Sequence, residues 1–97
     1  MQFPVTRVQL RSAIESYGFR PQQANRLIND MEGSGRIDLS GSMLSIPNPT
    51  DPDAPMIIGL AQSARGGASG SVGWYKVKEY LDLMSRKAAT RGASSRG

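Results

Sequence analysis

The clearest structural signal in the chain is the stretch from residue 21 to residue 32, which reads PQQANRLINDME. A proline in the first turn suits a helix start, because the N–H that proline lacks would have no helical partner there. Gly33 and Gly35 follow the stretch and are suited to end a helix. The stretch therefore predicts a helix over residues 21–32. Its apolar face has the spacing i, i+3, i+4 and i+7 and consists of Ala24, Leu27, Ile28 and Met31.

A second helix is predicted immediately upstream. Thr6 and Gln9 have the spacing of a capping box, in which each side chain bonds the backbone N–H of the other residue. Gly18 supplies the left-handed conformation in which helices often end. This helix should cover residues 6–17, and the apolar residues at helical spacing within it are Leu10, Ala13, Ile14 and Tyr17.

Three short segments follow the two helices. Residues 36–46 alternate apolar and polar side chains around a break at Ser40-Gly41, which predicts a small β-hairpin. Residues 47–55 hold four prolines, so we expect a stiff surface connection. The apolar run 56–61 fits a strand or the start of a short helix, and we assign it as a strand.

The last third of the chain combines a loop, a helix and a tail. Residues 62–73 are rich in Gly and Ser and predict a mobile loop. An amphipathic stripe headed by Trp74 predicts a third helix over residues 74–88, with Trp74 in the core. Stacking of Trp74 and Tyr75 on the bases of a single strand is the alternative. Residues 90–97 should form a flexible basic tail, because they have no apolar side chain larger than Ala to bury. We therefore expect one α+β domain over residues 1–89, with about three helices and a hairpin.

Composition restricts the function. The chain has no Cys and no His, which removes thiol and imidazole catalysis and the usual zinc ligand sets, so we expect no enzyme activity, metal or cofactor. It has no apolar run of the roughly 18 to 20 residues that span a bilayer and no signal-peptide pattern, so we expect a cytoplasmic protein, in the host cytoplasm if it is viral, without membrane partners. The net charge is +4, and the excess lies at the C-terminal end, because residues 85–97 hold Arg86, Lys87, Arg91 and Arg96 and contain no acidic residue.

The order of these elements resembles the winged helix-turn-helix DNA-binding proteins over residues 10–46. The helix ending at Tyr17 matches the first helix of that motif, Gly18-Phe19 its turn, and residues 21–32 its recognition helix. Gly35-Arg36-Ile37 and the following hairpin match the step into the wing. The resemblance implies a winged-helix-like domain of a DNA-binding or transcription-associated protein, of bacterial or phage type.

The resemblance also implies a binding surface for double-stranded DNA. Helix 21–32 would enter the major groove, where Gln and Asn side chains can read adenine and Arg can read guanine. The hairpin 36–46 would touch the flanking backbone, and the tail would add phosphate contacts. The predicted nucleic-acid-binding residues are Arg20, Gln22, Gln23, Arg26, Asn29, Arg36, Arg86, Lys87, Arg91 and Arg96.

Other interpretations remain open. The polar face of helix 21–32 also fits an ordinary solvated surface, and the tail fits a solubilising segment. A protein-interaction or assembly factor, such as a viral protein that grips a larger enzyme or a virion component, is favoured by the near-neutral first half. Its contacts would be Phe3, Phe19 and Met43, which we expect to be exposed. A homodimer would use residues 56–60 or the Trp74–Met84 face.

Overall fold

The computed structural model describes residues 1–67 and 72–96, with side chains described up to residue 87 outside the gap. Its elements are, in chain order, β1 (Gln2–Phe3), α1 (Arg7–Ser16), α2 (Pro21–Gly33), β2 (Asp38–Ser40), β3 (Met43–Ser45), α3 (Ala54–Ala64) and α4 (Trp74–Arg96). The α+β class is confirmed. The described residues form four helices and a three-stranded sheet, where the sequence predicted three helices and a hairpin.

Helix α1 begins at the predicted capping box. The Thr6 hydroxyl accepts a hydrogen bond from the Gln9 backbone N–H at 3.2 Å. The Gln9 side-chain oxygen Oε1 accepts one from the Thr6 backbone N–H at 2.8 Å. The helix ends before Gly18, whose φ of 102° breaks the helical geometry. Leu10, Ala13 and Ile14 are buried, so the predicted helix is confirmed to within one residue at each end.

Helix α2 has the predicted bounds, with one more residue at its C-terminal end. Pro21 occupies its first turn, and the Gln23 side chain accepts a hydrogen bond from the Arg20 N–H at 3.0 Å, which closes the helix start. All four predicted apolar residues are buried, and α2 packs these against α1 and α4. The chain leaves the helix through Gly35, which has a φ of 77°.

The sheet has the strand order β1-β3-β2, and both pairings are antiparallel. Gly41 takes the first position of the two-residue turn between β2 and β3 with a φ of 63°, a conformation suited to glycine. Strand β1 brings Phe3 opposite Leu44, so the N-terminal residues cover the outer side of the hairpin. The predicted hairpin is present, and β1 was missed because two residues before a proline give no alternation to detect.

The strand predicted over residues 56–61 is wrong, because these residues lie inside α3. The buried positions Ala54, Ile57 and Ala61 follow the i, i+3, i+7 spacing of a helix, and Pro55 lies in its first turn, where proline is tolerated. The predicted connection 47–55 therefore ends two residues early, at Asp53, and the predicted loop 62–73 begins only after Ala64. Residues 68–71 of that loop lie outside the described residues.

Helix α4 lies against both α2 and α3. Val77, Tyr80, Leu81 and Met84 are buried, as the predicted stripe requires. The structure continues this helix to Arg96, beyond the predicted end at residue 88. The side chains of residues 88–97 lie outside the described part, so the flexible tail stays a prediction.

One hydrophobic core joins all of these elements. It extends from Val5 before α1 to Met84 in α4, and Ile37 and Ile46 bring in both ends of the hairpin. Within residues 1–67 and 72–96, no helix is both long and apolar enough to cross a membrane. The fold thus leaves the polar side of α2 at the surface of the domain, while α1 and α4 pack against its buried side.

Candidate nucleic-acid interface

The outer side of α2 is a polar ridge, which we define as Gln22, Arg26 and Asn29. These residues have the spacing i, i+4 and i+7, opposite the buried face, and all three are exposed. Arg20, which precedes the helix, is also exposed. Among the described residues, neither Arg20 nor Arg26 lies within salt-bridge distance of a carboxylate. Both charges are therefore available to an outside partner.

Asn29 is held by a residue of the preceding helix. The Arg7 guanidinium donates one hydrogen bond to the Asn29 side-chain oxygen and another to a Glu32 carboxylate oxygen at 2.6 Å. Adenine readout needs both the oxygen and the NH₂ group of an Asn side chain. Arg7 occupies one acceptor site of this oxygen and fixes the orientation of the amide, so the predicted bidentate contact would require this bridge to shift or open.

Gln23 is also used within the fold. Its side-chain oxygen accepts the Arg20 N–H that would otherwise remain unpaired before the helix, so it caps α2. Gln22, by contrast, forms no hydrogen bond with any described residue. Of the three amide side chains predicted to read bases, Gln22 alone therefore keeps its donor and acceptor groups available. The capping role of Gln23 could be suspected only after the helix start was fixed at Pro21.

Arg36 does not join the ridge. Its Nε atom lies 3.3 Å from an Asp53 carboxylate oxygen, and its guanidinium donates to the Ser34 hydroxyl at 3.1 Å. It lines a pocket of about 130 Å³ between the end of α2, the start of α3 and the middle of α4. The other lining residues are Asp30, Ser34, Asp53, Tyr80, Leu83, Met84 and Lys87. Arg36 is therefore half-buried and paired, and it is not a free charge beside the ridge.

The same pocket contains a buried phenol. The Tyr80 hydroxyl is buried and forms no hydrogen bond with any described residue. Burial raises the pKa of Tyr80 to about 12, the negative charges of Asp53 and Asp51 add to the rise, and Arg36 opposes it. The lining charges of Arg36 and Lys87 face those of Asp30 and Asp53, so the pocket has no excess of positive charge for a phosphate.

The predicted tail residues divide between the described and the undescribed part. Lys87 is exposed at the rim of the pocket, and Arg86 is exposed on α4. The side chains of Arg91 and Arg96 lie outside the described residues. Of the ten predicted binding residues, the structure brings Arg20, Gln22, Gln23, Arg26 and Asn29 together around the N-terminal three turns of α2.

The hairpin offers little charge to a phosphate backbone. Its tip consists of Ser40, Gly41 and Ser42, which are all exposed. The charged residue of its two strands is Asp38. The acidic Asp38 lies at the C-terminal side of α2, where Asp30 and Glu32 also occur. Carboxylates therefore lie at one end of the ridge, where Arg7 pairs with Glu32, and the free arginines lie at the other end.

The aromatic residues differ from the predictions. Trp74 was predicted to lie in the core, but it is 49% exposed. Its ring lies at the domain surface and stacks on the buried ring of Tyr17, with the centroids 5.0 Å apart. Phe3, Phe19 and Met43 were predicted to be exposed but are half-buried, and the two phenylalanines pack against the core. The large apolar residues that are exposed within the described part are Met1, Val8, Trp74, Tyr75 and Leu83.

The surfaces proposed for a dimer are also used inside the chain. Ile57 and Leu60 are buried in the core, so residues 56–60 do not form a free apolar face. Val77, Leu81 and Met84 are buried as well, which leaves Trp74 as the exposed end of the Trp74–Met84 stripe. The two dimer faces were predicted from a short apolar run and from an apolar stripe, and the fold buries residues of both in its own core.

No protein-family model, curated protein or solved structure matches this chain. Any assignment of function therefore depends on the residues described above.

Proposed function

We propose that this chain is a small DNA-binding protein of the winged-helix type, which places the N-terminal half of α2 in the major groove of duplex DNA. The observation that carries the proposal is the exposed polar ridge of α2, with Arg20 and Arg26 unpaired among the described residues. In helix-turn-helix proteins, the N-terminal residues of the second helix contact base edges. Arg20, Gln22 and Arg26 occupy that part of α2.

The local geometry supports a rigid reading element. The capping bond from Gln23 and the position of Pro21 fix the helix start, and the buried face is anchored on α1 and α4. A helix of 13 residues is about 20 Å long, which is sufficient to follow the major groove over several base pairs. A rigid α2 would let Gln22 read base edges and Arg26 hold a neighbouring phosphate without a large ordering cost on binding.

The distribution of charge gives the proposal a direction. Arg20 immediately precedes α2 and Arg26 lies in its N-terminal half. Asp30 and Asp38 lie at or beyond its C-terminal end, together with Glu32, which is paired with Arg7. Phosphates repel carboxylates, so the DNA backbone should pass close to the N-terminal half and stay away from the base of the hairpin. The hairpin contributes, in this proposal, through the hydroxyls of Ser40 and Ser42.

The test is fluorescence anisotropy of a labelled random-sequence duplex, at low and at moderate salt. Wild type should bind, and its affinity should fall steeply with salt. Arg26→Ala should weaken binding several-fold and reduce the salt slope by about one, as expected for the loss of one phosphate contact.

Lys76→Ala is the matched control, because it removes the same charge from the side of α4 that faces Met56 of α3. It should stay within about twofold of wild type, apart from the general effect of net charge. Equal losses in both variants, or no binding at low salt, would overturn the proposal. The second outcome would favour a protein-interaction module, for which the near charge balance of residues 1–46 is the supporting observation.

A further inference from the structure

The surface around the start of α4 is not used by the proposed contact of α2 with duplex DNA. Its central residue is Trp74, the one tryptophan in the chain. One ring face of Trp74 stacks on Tyr17, with an angle of 18° between the ring planes. Since the residue is 49% exposed, the other side of the indole is open to solvent.

The indole is held from below by a fixed partner. Tyr17 is 1% exposed, and its hydroxyl forms a hydrogen bond with the Ser63 hydroxyl of α3 at 2.7 Å. The ring beneath Trp74 therefore cannot easily move. A side chain that is already ordered loses little conformational entropy when a ligand stacks on its free face.

Two basic residues, Arg20 and the ion-paired Lys78, connect the region of the indole with the start of α2. Lys78, one turn after Trp74, lies over the Phe19 ring at 5.9 Å and forms an ion pair with Asp82 at 2.9 Å. Phe19 is followed by Arg20, which is free of carboxylates among the described residues. Tyr75, the residue after Trp74, interacts with Glu79, which raises the pKa of Tyr75 through a hydrogen bond and through its charge.

We propose that the free face of Trp74 stacks on an unpaired nucleobase, so that this chain binds DNA where a duplex gives way to a single strand. This inference rests on the proposed DNA binding and names the form of DNA that the chain prefers. A strand that leaves the base stacked on Trp74 passes Lys78 and Phe19, reaches Arg20 and meets the ridge of α2. Aromatic stacking combined with a basic path along the backbone is the usual chemistry of single-strand binding.

The first experiment uses the intrinsic fluorescence of the wild-type chain, which reports on Trp74 alone. Titration with an unlabelled single-stranded oligonucleotide should quench this fluorescence to saturation, because a stacked base quenches indole emission. A blunt duplex of the same length should bind with little quenching. Absence of quenching at single-strand concentrations that saturate binding would overturn the inference, and it needs no variant that has to fold.

The second experiment compares variants by anisotropy on a duplex with a single-stranded overhang and on the blunt duplex. Trp74→Ala should lose about five- to 150-fold in affinity for the overhang substrate, the usual effect of one lost stacking contact. Trp74→Phe should recover part of that loss. Leu83→Ala, which removes another exposed apolar side chain from α4, is the matched control and should bind both substrates as wild type does.

These measurements separate the two proposals. If Arg26→Ala weakens blunt-duplex binding while Trp74→Ala weakens both substrates equally, duplex binding stands and the stacking inference fails. If single strands quench Trp74 but no blunt duplex binds, the proposed duplex contact fails, and Trp74 stacking on single strands stands by itself.

Discussion

The molecule buries two tyrosines to similar extents and treats their hydroxyls in opposite ways. Tyr17 at the end of α1 is 1% exposed, and its hydroxyl is bonded to Ser63. Tyr80 in α4 is 7% exposed, and its hydroxyl ends in a pocket without a hydrogen-bond partner among the described residues. Tyr17 joins the end of α1 to α3 through Ser63 and to α4 through Trp74. Tyr80 instead lines the pocket between α2, α3 and α4.

The comparison shows that burial alone does not describe the role of a side chain. A buried hydroxyl with a partner contributes to stability, whereas one that faces a pocket without a protein partner contributes little. Tyr17 thus supports the exposed indole of Trp74 above it. Tyr80 contributes mainly through the apolar area of its ring, so the pocket beside it is the less stabilised region of the two.

Tyr17→Ala should have the largest effect. It removes a fully buried ring, the support of Trp74 and the bond to Ser63, so the free energy of unfolding should fall by about 3–5 kcal/mol. Urea denaturation followed by circular dichroism measures the loss. A decrease below about 1 kcal/mol would show that the Tyr17 region is not a rigid part of the core.

The second-largest effect should be a loss of folding stability at alkaline pH, caused by the titration of Tyr80. Below pH 10 the phenol is neutral in both the folded and the unfolded state, so it adds no pH dependence. Between pH 10 and about 12 the unfolded state loses its proton while folded Tyr80 keeps it, so stability falls as pH rises, by about 2 kcal/mol at pH 12.

Tyr80→Phe is the control for this pH effect, because it keeps the ring and removes the proton. Urea midpoints of wild type and variant should run together up to about pH 9 and diverge above pH 10, with the variant more stable. Tyr75 is present in both proteins, so its own titration cancels in the difference. Parallel curves up to pH 12 would refute the raised pKa of Tyr80.

The smallest effects should come from removing each hydroxyl alone at neutral pH. Tyr17→Phe should cost about 1 kcal/mol, since it leaves the Ser63 hydroxyl without this partner, and Tyr80→Phe should change stability by less than about 0.5 kcal/mol. A double-mutant cycle with Ser63→Ala tests whether the Tyr17 cost arises from that bond. Equal costs at the two tyrosines would remove the distinction between them.

Features with a local signal could be predicted from the sequence. The capping box at Thr6 and Gln9, the proline at the start of α2 and the glycine at the hairpin turn each act within a few residues. The exposed ridge followed from the apolar spacing on the opposite face of α2. The helix at residues 54–64 was missed because its apolar run is short and a proline-rich segment precedes it. Ala54, the first buried residue of the helix, was assigned to that segment, so the helical spacing of the buried residues was not recognised.

Features that depend on distant residues could not be predicted. Arg7 meets Asn29 and Glu32 across more than twenty residues, and Arg36 meets Asp53 from a separate element. Trp74 and Tyr17 each belong to an apolar stripe, and nothing in either stripe indicates that they stack on each other at the surface. The charges available for binding are therefore fewer than the sequence suggests, because the fold uses several arginines itself.

The pairing of β1 with β3 also has a consequence for the order of folding. The contacts between α1 and α2 and between β2 and β3 join neighbouring segments, whereas Phe3 meets Leu44 only across about forty residues. Such a distant contact forms after the loop it closes has become compact. We expect the two helices and the hairpin to form early, and the first strand to join the sheet as one of the last steps of folding.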